Sequence, residues 1–161
     1  MARHVTLETI RDAATIVYAV ARRTPLVKLD ATAPVTGGAP NVYLKLETLQ
    51  PIGSFKIRGG LVSMAIRYGS IPTQGVYVAS AGNYGLGIAE AGRRYQIKVM
   101  VFVPETANPS KVEKIELAGA TVVRYGTDFD AAKDYCRKQS QKDGAVFWED
   151  GVIEEMSMGA A

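Results

Sequence analysis

Between Thr6 and Arg22 the apolar residues Leu7, Ile10, Ala13, Ala14, Val17 and Ala21 recur at spacings of three and four. That stripe predicts an amphipathic helix, ended by Thr24-Pro25. Asn41 to Leu46 has the Val, Tyr and Leu content of a buried strand, and Leu49-Gln50-Pro51-Ile52-Gly53 then breaks regular structure before a helix from about Phe55 to Tyr68. From Gly75 onward strand and helix alternate. Val76 to Ala79, Lys98 to Val103, Thr121 to Tyr125 and Ala145 to Trp148 read as strands, with Tyr84 to Tyr95, Pro109 to Ala118 and Asp128 to Gln141 as the helices between them. The stretch Thr36-Gly37-Gly38-Ala39-Pro40 reads as an exposed turn, and the tail Gly151 to Ala161 begins a pattern and stops.

Connections long enough to hold a helix favour a parallel sheet covered on its faces, because each strand must return to the same edge before the next begins. Residues from about 60 to 149 therefore form one compact α/β unit, with pieces of a second body on either side.

Composition narrows the partner. The chain has 161 residues, 47% of them apolar or aromatic, enough to bury one ordinary core. Its net charge of +3 comes from basic residues scattered among acidic ones, which leaves no footprint for nucleic acid and points to a small molecule. Apolar runs such as Val99 to Pro104 are far too short to span a bilayer. The single cysteine, Cys136, excludes an internal disulfide; it reads as a small filler on its helix, and the default location is cytoplasmic. His4 has no companion histidine for a metal site. Lys98, Lys111 and Lys114 read as solvated lysines, and Trp148 as packing at the boundary of the α/β unit.

Two motifs carry chemistry. Ser54-Phe55-Lys56-Ile57-Arg58-Gly59 places a lysine at a loop-to-helix junction, where apolar neighbours and the positive end of a helix disfavour the ammonium form and supply the neutral amine that carbonyl chemistry needs. Val78-Ala79-Ser80-Ala81-Gly82-Asn83-Tyr84-Gly85 is a strand entering a small-residue turn and then a helix; its backbone amides form a cradle for a carboxylate or phosphate. Taken singly, each has an ordinary reading: a solvated lysine, and a turn shaped for packing.

Together and in this order, the motifs resemble those of the fold-type II pyridoxal-phosphate enzymes, and within them the serine/threonine dehydratases and their relatives the serine racemases. The resemblance runs from Arg23-Thr24-Pro25-Leu26 through Val103-Pro104-Glu105-Thr106-Ala107 and Leu117-Ala118-Gly119-Ala120-Thr121 to Val152-Ile153-Glu154. It implies a three-layer α/β fold with a parallel sheet, of the tryptophan synthase β-like class and truncated. Residues 1–59 would be the N-terminal part of the large cofactor domain, 60–149 the small α/β domain, and 150–161 the start of the return to the large domain.

By the same resemblance, Lys56 would hold pyridoxal 5'-phosphate covalently, Phe55 would lie against its ring, and Asn83 would hydrogen-bond its phenolic oxygen. Ser80, Ala81, Gly82 and Asn83 would receive the carboxylate of an amino-acid substrate. The implied reaction removes the β-hydroxyl and then the amino group of L-threonine or L-serine, with the freed lysine taking the Cα proton, to give a 2-oxo acid and ammonia.

Ile57 stands where synthase-type relatives carry aspartate, which favours a dehydratase. Ala81 stands where racemases have a second serine, which disfavours racemisation, and Tyr84 replaces a common histidine. The family's phosphate loop lies beyond the position matching Ala161, so the isolated chain is expected to have negligible turnover. A non-catalytic remnant or interaction module, a homo-oligomer, and half of a split enzyme completed by a C-terminal partner remain as rival readings.

Overall fold

The computed structural model describes residues 4–30, 37 and 41–161. The turn expected at 36–40 lies outside them except for Gly37. Six helices and six strands are seen among the described residues, besides short 3-10 turns. Helix α1 (Leu7–Tyr18) is followed by strands β1 (Leu26–Lys28) and β2 (Tyr43–Lys45), and then by α2 (Lys56–Arg67). The alternating unit is β3 (Val76–Ala79), α3 (Asn83–Tyr95), β4 (Val99–Val103), α4 (Pro109–Leu117), β5 (Thr121–Arg124), α5 (Phe129–Asp143) and β6 (Val146–Trp148), and α6 (Glu154–Ala160) closes the chain.

Strands β3 to β6 form a wholly parallel sheet in the order β5-β4-β3-β6. Its two faces follow from the alternation of side chains along each strand. Val76, Val78, Val101 and Val103 face a core shared with α2, α3 and α4 through Leu61, Ile88 and Ile115, while Tyr77, Ala79 and Phe102 face α5 at Cys136. The fold is thus three-layered α/β, as the sequence implied.

The boundaries of the elements follow local chemistry. Thr6 caps α1 through a reciprocal pair with Thr9, and Asp128 caps α5 by accepting from the Ala131 amide. Gln96 and Gly144 end α3 and α5 in the left-handed conformation. Helix α1 stops at Tyr18, short of the expected Arg22. One reason is that the Gln50 side chain takes both backbone groups of Arg22, accepting from its N–H at 2.9 Å and donating to its carbonyl at 2.9 Å.

Two expectations change, those for the Tyr43–Lys45 strand and for Trp148. The strand at Tyr43–Lys45 is exposed, because it pairs only with β1 in a two-stranded antiparallel ribbon; β1 itself has no sequence signal beyond the Thr24-Pro25 stop. In the tail, α6 lies against α2 so closely that a methyl group on Gly59 would come within 2.7 Å of the Met156 carbonyl oxygen. Trp148 is not at a boundary but in the core, 2% exposed. Helix α2 runs unbroken through residues 59 and 60. Among the described residues no helix is long and apolar enough to cross a membrane.

Candidate active site

In an open parallel sheet, ligands bind beyond the carboxyl ends of the strands where the connections diverge to opposite sides. Here the chain passes from β3 outward to β4 and β5, then returns through α5 to β6 on the other flank of β3. The divergence falls between β3 and β6, and the segments leaving those strands are Ser80–Gly82 and Glu149–Gly151. Both motifs from the sequence meet this crevice.

Helix α3 begins at Asn83 with Gly82 as its N-cap and no side chain capping it. The first-turn amides and the positive helix end are thereby left for an outside acceptor. Ser80 Oγ accepts from the Gly82 amide at 3.2 Å, which fixes the turn and leaves the hydroxyl proton free to donate outward. Ser80, Ala81 and Gly82 are half-buried, and the Asn83 side chain is exposed at the helix start. The turn can be this tight because Gly85 lacks a side chain: a methyl there would lie 2.5 Å from the Ser80 carbonyl oxygen.

Lys56 opens α2. Ser54 Oγ accepts from its backbone amide at 3.3 Å, and α3 packs against its carbonyl at Gly87, where an added methyl would sit 2.9 Å away. Its Nζ lies 5.3 Å from the Phe55 ring centroid and 5.7 Å from that of Tyr84, and donates to both carboxylate oxygens of Asp150 at 2.7 and 2.8 Å. Phe55 is largely exposed beside a cleft also lined by Gly59, Ile153 and Met156. The Tyr84 hydroxyl is buried without a hydrogen-bond partner among the described residues, and burial, with the Asp150 carboxylate nearby, pushes its ionisation far above the ordinary range.

Two residues further along α2, Arg58 forms a part-buried ion pair with Glu47. Arg58 Nε and Nη2 donate to Glu47 at 2.7 and 2.8 Å, Thr24 and Gln50 donate to the same carboxylate at 2.5 and 3.1 Å, and Arg58 also donates to the Arg22 carbonyl. The guanidinium holds the Glu47 carboxyl down to about 2.

Residues 17–157 match the model of the family described as pyridoxal-phosphate dependent enzymes. This chain belongs to that family. It is 38% identical over 143 residues to the L-threonine ammonia-lyase of Thermotoga maritima, covering 89% of this chain and 35% of that one. It is 37% identical over 131 residues to threonine dehydratase 1 of Solanum lycopersicum, named biosynthetic and chloroplastic, covering 81% and 21%. Among solved structures, a pyridoxal 5'-phosphate-dependent aspartate racemase superposes with a TM-score of 0.86 at 28% identity, over 99% of this chain and 50% of that one. The chain therefore spans about half of that racemase and smaller shares of the two curated relatives.

The residues present suit the family's cofactor. An aldehyde needs a primary amine that the solvent reaches, and Lys56 supplies one, 28% exposed, at the mouth of the cleft. An aromatic ring needs a flat apolar neighbour, which Phe55 offers, and an anion needs free amides such as those opening α3. Sequence reasoning missed Asp150 and the unpartnered Tyr84 hydroxyl. The run Trp148-Glu149-Asp150 at a strand end was the only signal for the first.

Proposed function

We propose that this chain supplies the lysine-bearing and carboxylate-binding part of a pyridoxal-phosphate enzyme that dehydrates and deaminates a hydroxy amino acid, L-threonine or L-serine, to a 2-oxo acid and ammonia. The observation that carries the reading is the solvent-reachable amine of Lys56 beside an uncapped helix N-terminus at the divergence point of the sheet.

The cofactor, when bound, supplies an electron sink conjugated with the substrate's Cα. In this reading Lys56 holds it, later takes the Cα proton on its Nζ, and is fixed in place by the packing of α2 on α3. Phe55 packs on the ring and Asn83 donates to the phenolic oxygen. Ser80, with the amides of Ala81, Gly82 and Asn83, binds the substrate carboxylate, where the dipole of α3 favours negative charge. Ala81 offers no hydroxyl to act on the opposite side of Cα, which argues for elimination over racemisation.

Within the same proposal, residues 1–59 and 150–161 belong to a cofactor domain and 60–149 to a smaller one, and the setting is cytoplasmic. The test is to mix the chain with pyridoxal phosphate, follow the visible absorbance of the lysine adduct, trap it with borohydride and map the modified residue, with Lys56→Ala as control. An adduct confined to Lys56 supports the assignment. Labelling spread over surface lysines, unchanged by Lys56→Ala, rules it out and favours a non-catalytic module. Release of a 2-oxo acid from L-threonine and L-serine, measured on the chain in its native host, decides between the substrates.

A further inference from the structure

We infer that Asp150 positions Lys56, holding its ammonium in the crevice until an aldehyde takes the amine and then receiving the first proton that the ammonium gives up. The inference rests on Lys56 being the cofactor lysine, as proposed above.

The two residues are 94 positions apart, and the fold brings them together only because β6 delivers Asp150 to the carboxyl end of the sheet beside the start of α2. Both carboxylate oxygens engage Nζ. The remaining sides of the ammonium face the rings of Phe55 and Tyr84, at distances where an aromatic face attracts a cation. The neighbouring charges are committed elsewhere: Glu149 pairs with Lys133 and Arg137 of α5, and Arg58 with Glu47. Asp150 is thus the carboxylate left for Lys56, and no other ion pair holds it among the described residues.

A lysine so held is aimed at the crevice, and the ion pair must open before its amine can attack. For the amine to bond an aldehyde, the ammonium gives one proton to the Asp150 carboxylate and the freed electron pair attacks the aldehyde carbon. A C=N bond then replaces the C=O bond, and the oxygen leaves as water with the two remaining amine protons. Asp150 therefore slows the attack by any reagent that needs the free amine, while keeping Nζ at the place where the cofactor's aldehyde must arrive.

The experiment treats the 161-residue chain with trinitrobenzenesulfonate at neutral pH and measures the labelling rate of Lys56 by peptide mapping. The exposed Lys98, which makes no ion pair among the described residues, is the reference within each sample. Asp150→Asn should raise the Lys56/Lys98 rate ratio roughly 2- to 5-fold, the range set by a partly exposed ion pair, and Asp150→Glu should bring it back toward the unsubstituted value. In the unsubstituted chain, raising the salt to about 1 M should move the ratio the same way, because screening weakens the pair without any substitution. A ratio that neither Asp150→Asn nor salt changes, or one that Asp150→Glu raises as much as Asp150→Asn, overturns the inference. Pyridoxal phosphate as a second probe separates this result from the functional reading: if it fails to mark Lys56 while the trinitrobenzenesulfonate difference holds, the cofactor assignment falls, and with it the proton-receiving role, and only the hold of Asp150 on the Lys56 ammonium stands.

Discussion

Replacing Glu47 by glutamine should cost this chain about 3 kcal/mol of stability. The carboxylate accepts from Arg58, Thr24 and Gln50 at once, and the Glu47 and Arg58 side chains are only 16% and 7% exposed. The neighbouring guanidinium holds the Glu47 carboxyl from its ordinary 4.5 down to about 2, a preference for the ionised form that amounts to about 3 kcal/mol. A second route gives a similar figure. Taking the charge from one partner of a largely buried pair leaves the other charge poorly compensated, which costs up to about 3–5 kcal/mol. The loss is large against a total stability of about 5–15 kcal/mol for a domain.

Urea unfolding followed by the fluorescence of the buried Trp148 reads the effect. With a slope of about 2 kcal/mol per molar, Glu47→Gln should lower the midpoint by about 1.5 M. Acid supplies a second signature. Glu47 ionises more readily in the folded chain than in the unfolded one, so its contribution is complete above about pH 4.5 and is lost as the pH falls toward about 2. The glutamine variant has no such carboxyl, and its stability should fall less steeply across that window. A midpoint shift below about 0.3 M, or an acid slope equal to that of the unsubstituted chain, would refute the account of the pair.

Three further outcomes follow from the same structure. Tyr84→Phe removes a buried hydroxyl that has no partner among the described residues, so stability should hold or rise by about 1 kcal/mol, seen as an increase of up to about 4 °C in the melting midpoint; a fall of that size would mean the hydroxyl is bonded. Gly60→Ala pushes a methyl to 2.7 Å from the Gly87 carbonyl oxygen and should cost about 1–3 kcal/mol, while Gly69→Ala, with open space around it, should cost far less; equal melting midpoints for the two would sink the close-packing argument. Burial pushes the Cys136 thiol up to about 12, so a thiol-reactive disulfide reagent at pH 8 should label it only as the chain unfolds, with the same urea midpoint as Trp148; rapid labelling of the native chain would contradict its burial.

The alternating unit was legible because two different periods mark it. Strands such as Val76–Ala79 and Val99–Val103 are short apolar runs, and α3 and α4 carry apolar residues at helical spacing between turn residues, so the predicted boundaries lie within two residues of those found. The ribbon was not legible in the same way. Tyr43 and Leu44 have the composition of a buried strand, but burial depends on what covers a strand, and that information lies outside the strand itself. Helix α6 gave little signal for a related reason. Its sequence, Glu154-Glu155-Met156-Ser157-Met158-Gly159-Ala160, has a weak stripe, and its place is fixed by close backbone contact with α2 and by the Arg67–Glu155 ion pair at 2.9 Å.

The site divides along the same line. Lys56 and the Ser80–Asn83 turn announce themselves because each belongs to a local pattern, a lysine at a helix start and small residues between a strand and a helix. Their relation to each other is not local. It depends on Gly60 and Gly87, which let α2 and α3 approach until the Lys56 carbonyl touches α3, and on Gly59 and Gly159, which seat α6 against the other side of α2. Larger side chains at these four positions would hold the helices apart, moving the lysine away from both the α3 N-terminus and Asp150. Asp150 itself has no motif, and the ion-pair partner it has among the described residues is 94 positions away. A reading of the sequence finds the groups that carry a local signature; those that act on them from a distance emerge only when the packing of glycine against carbonyl is known.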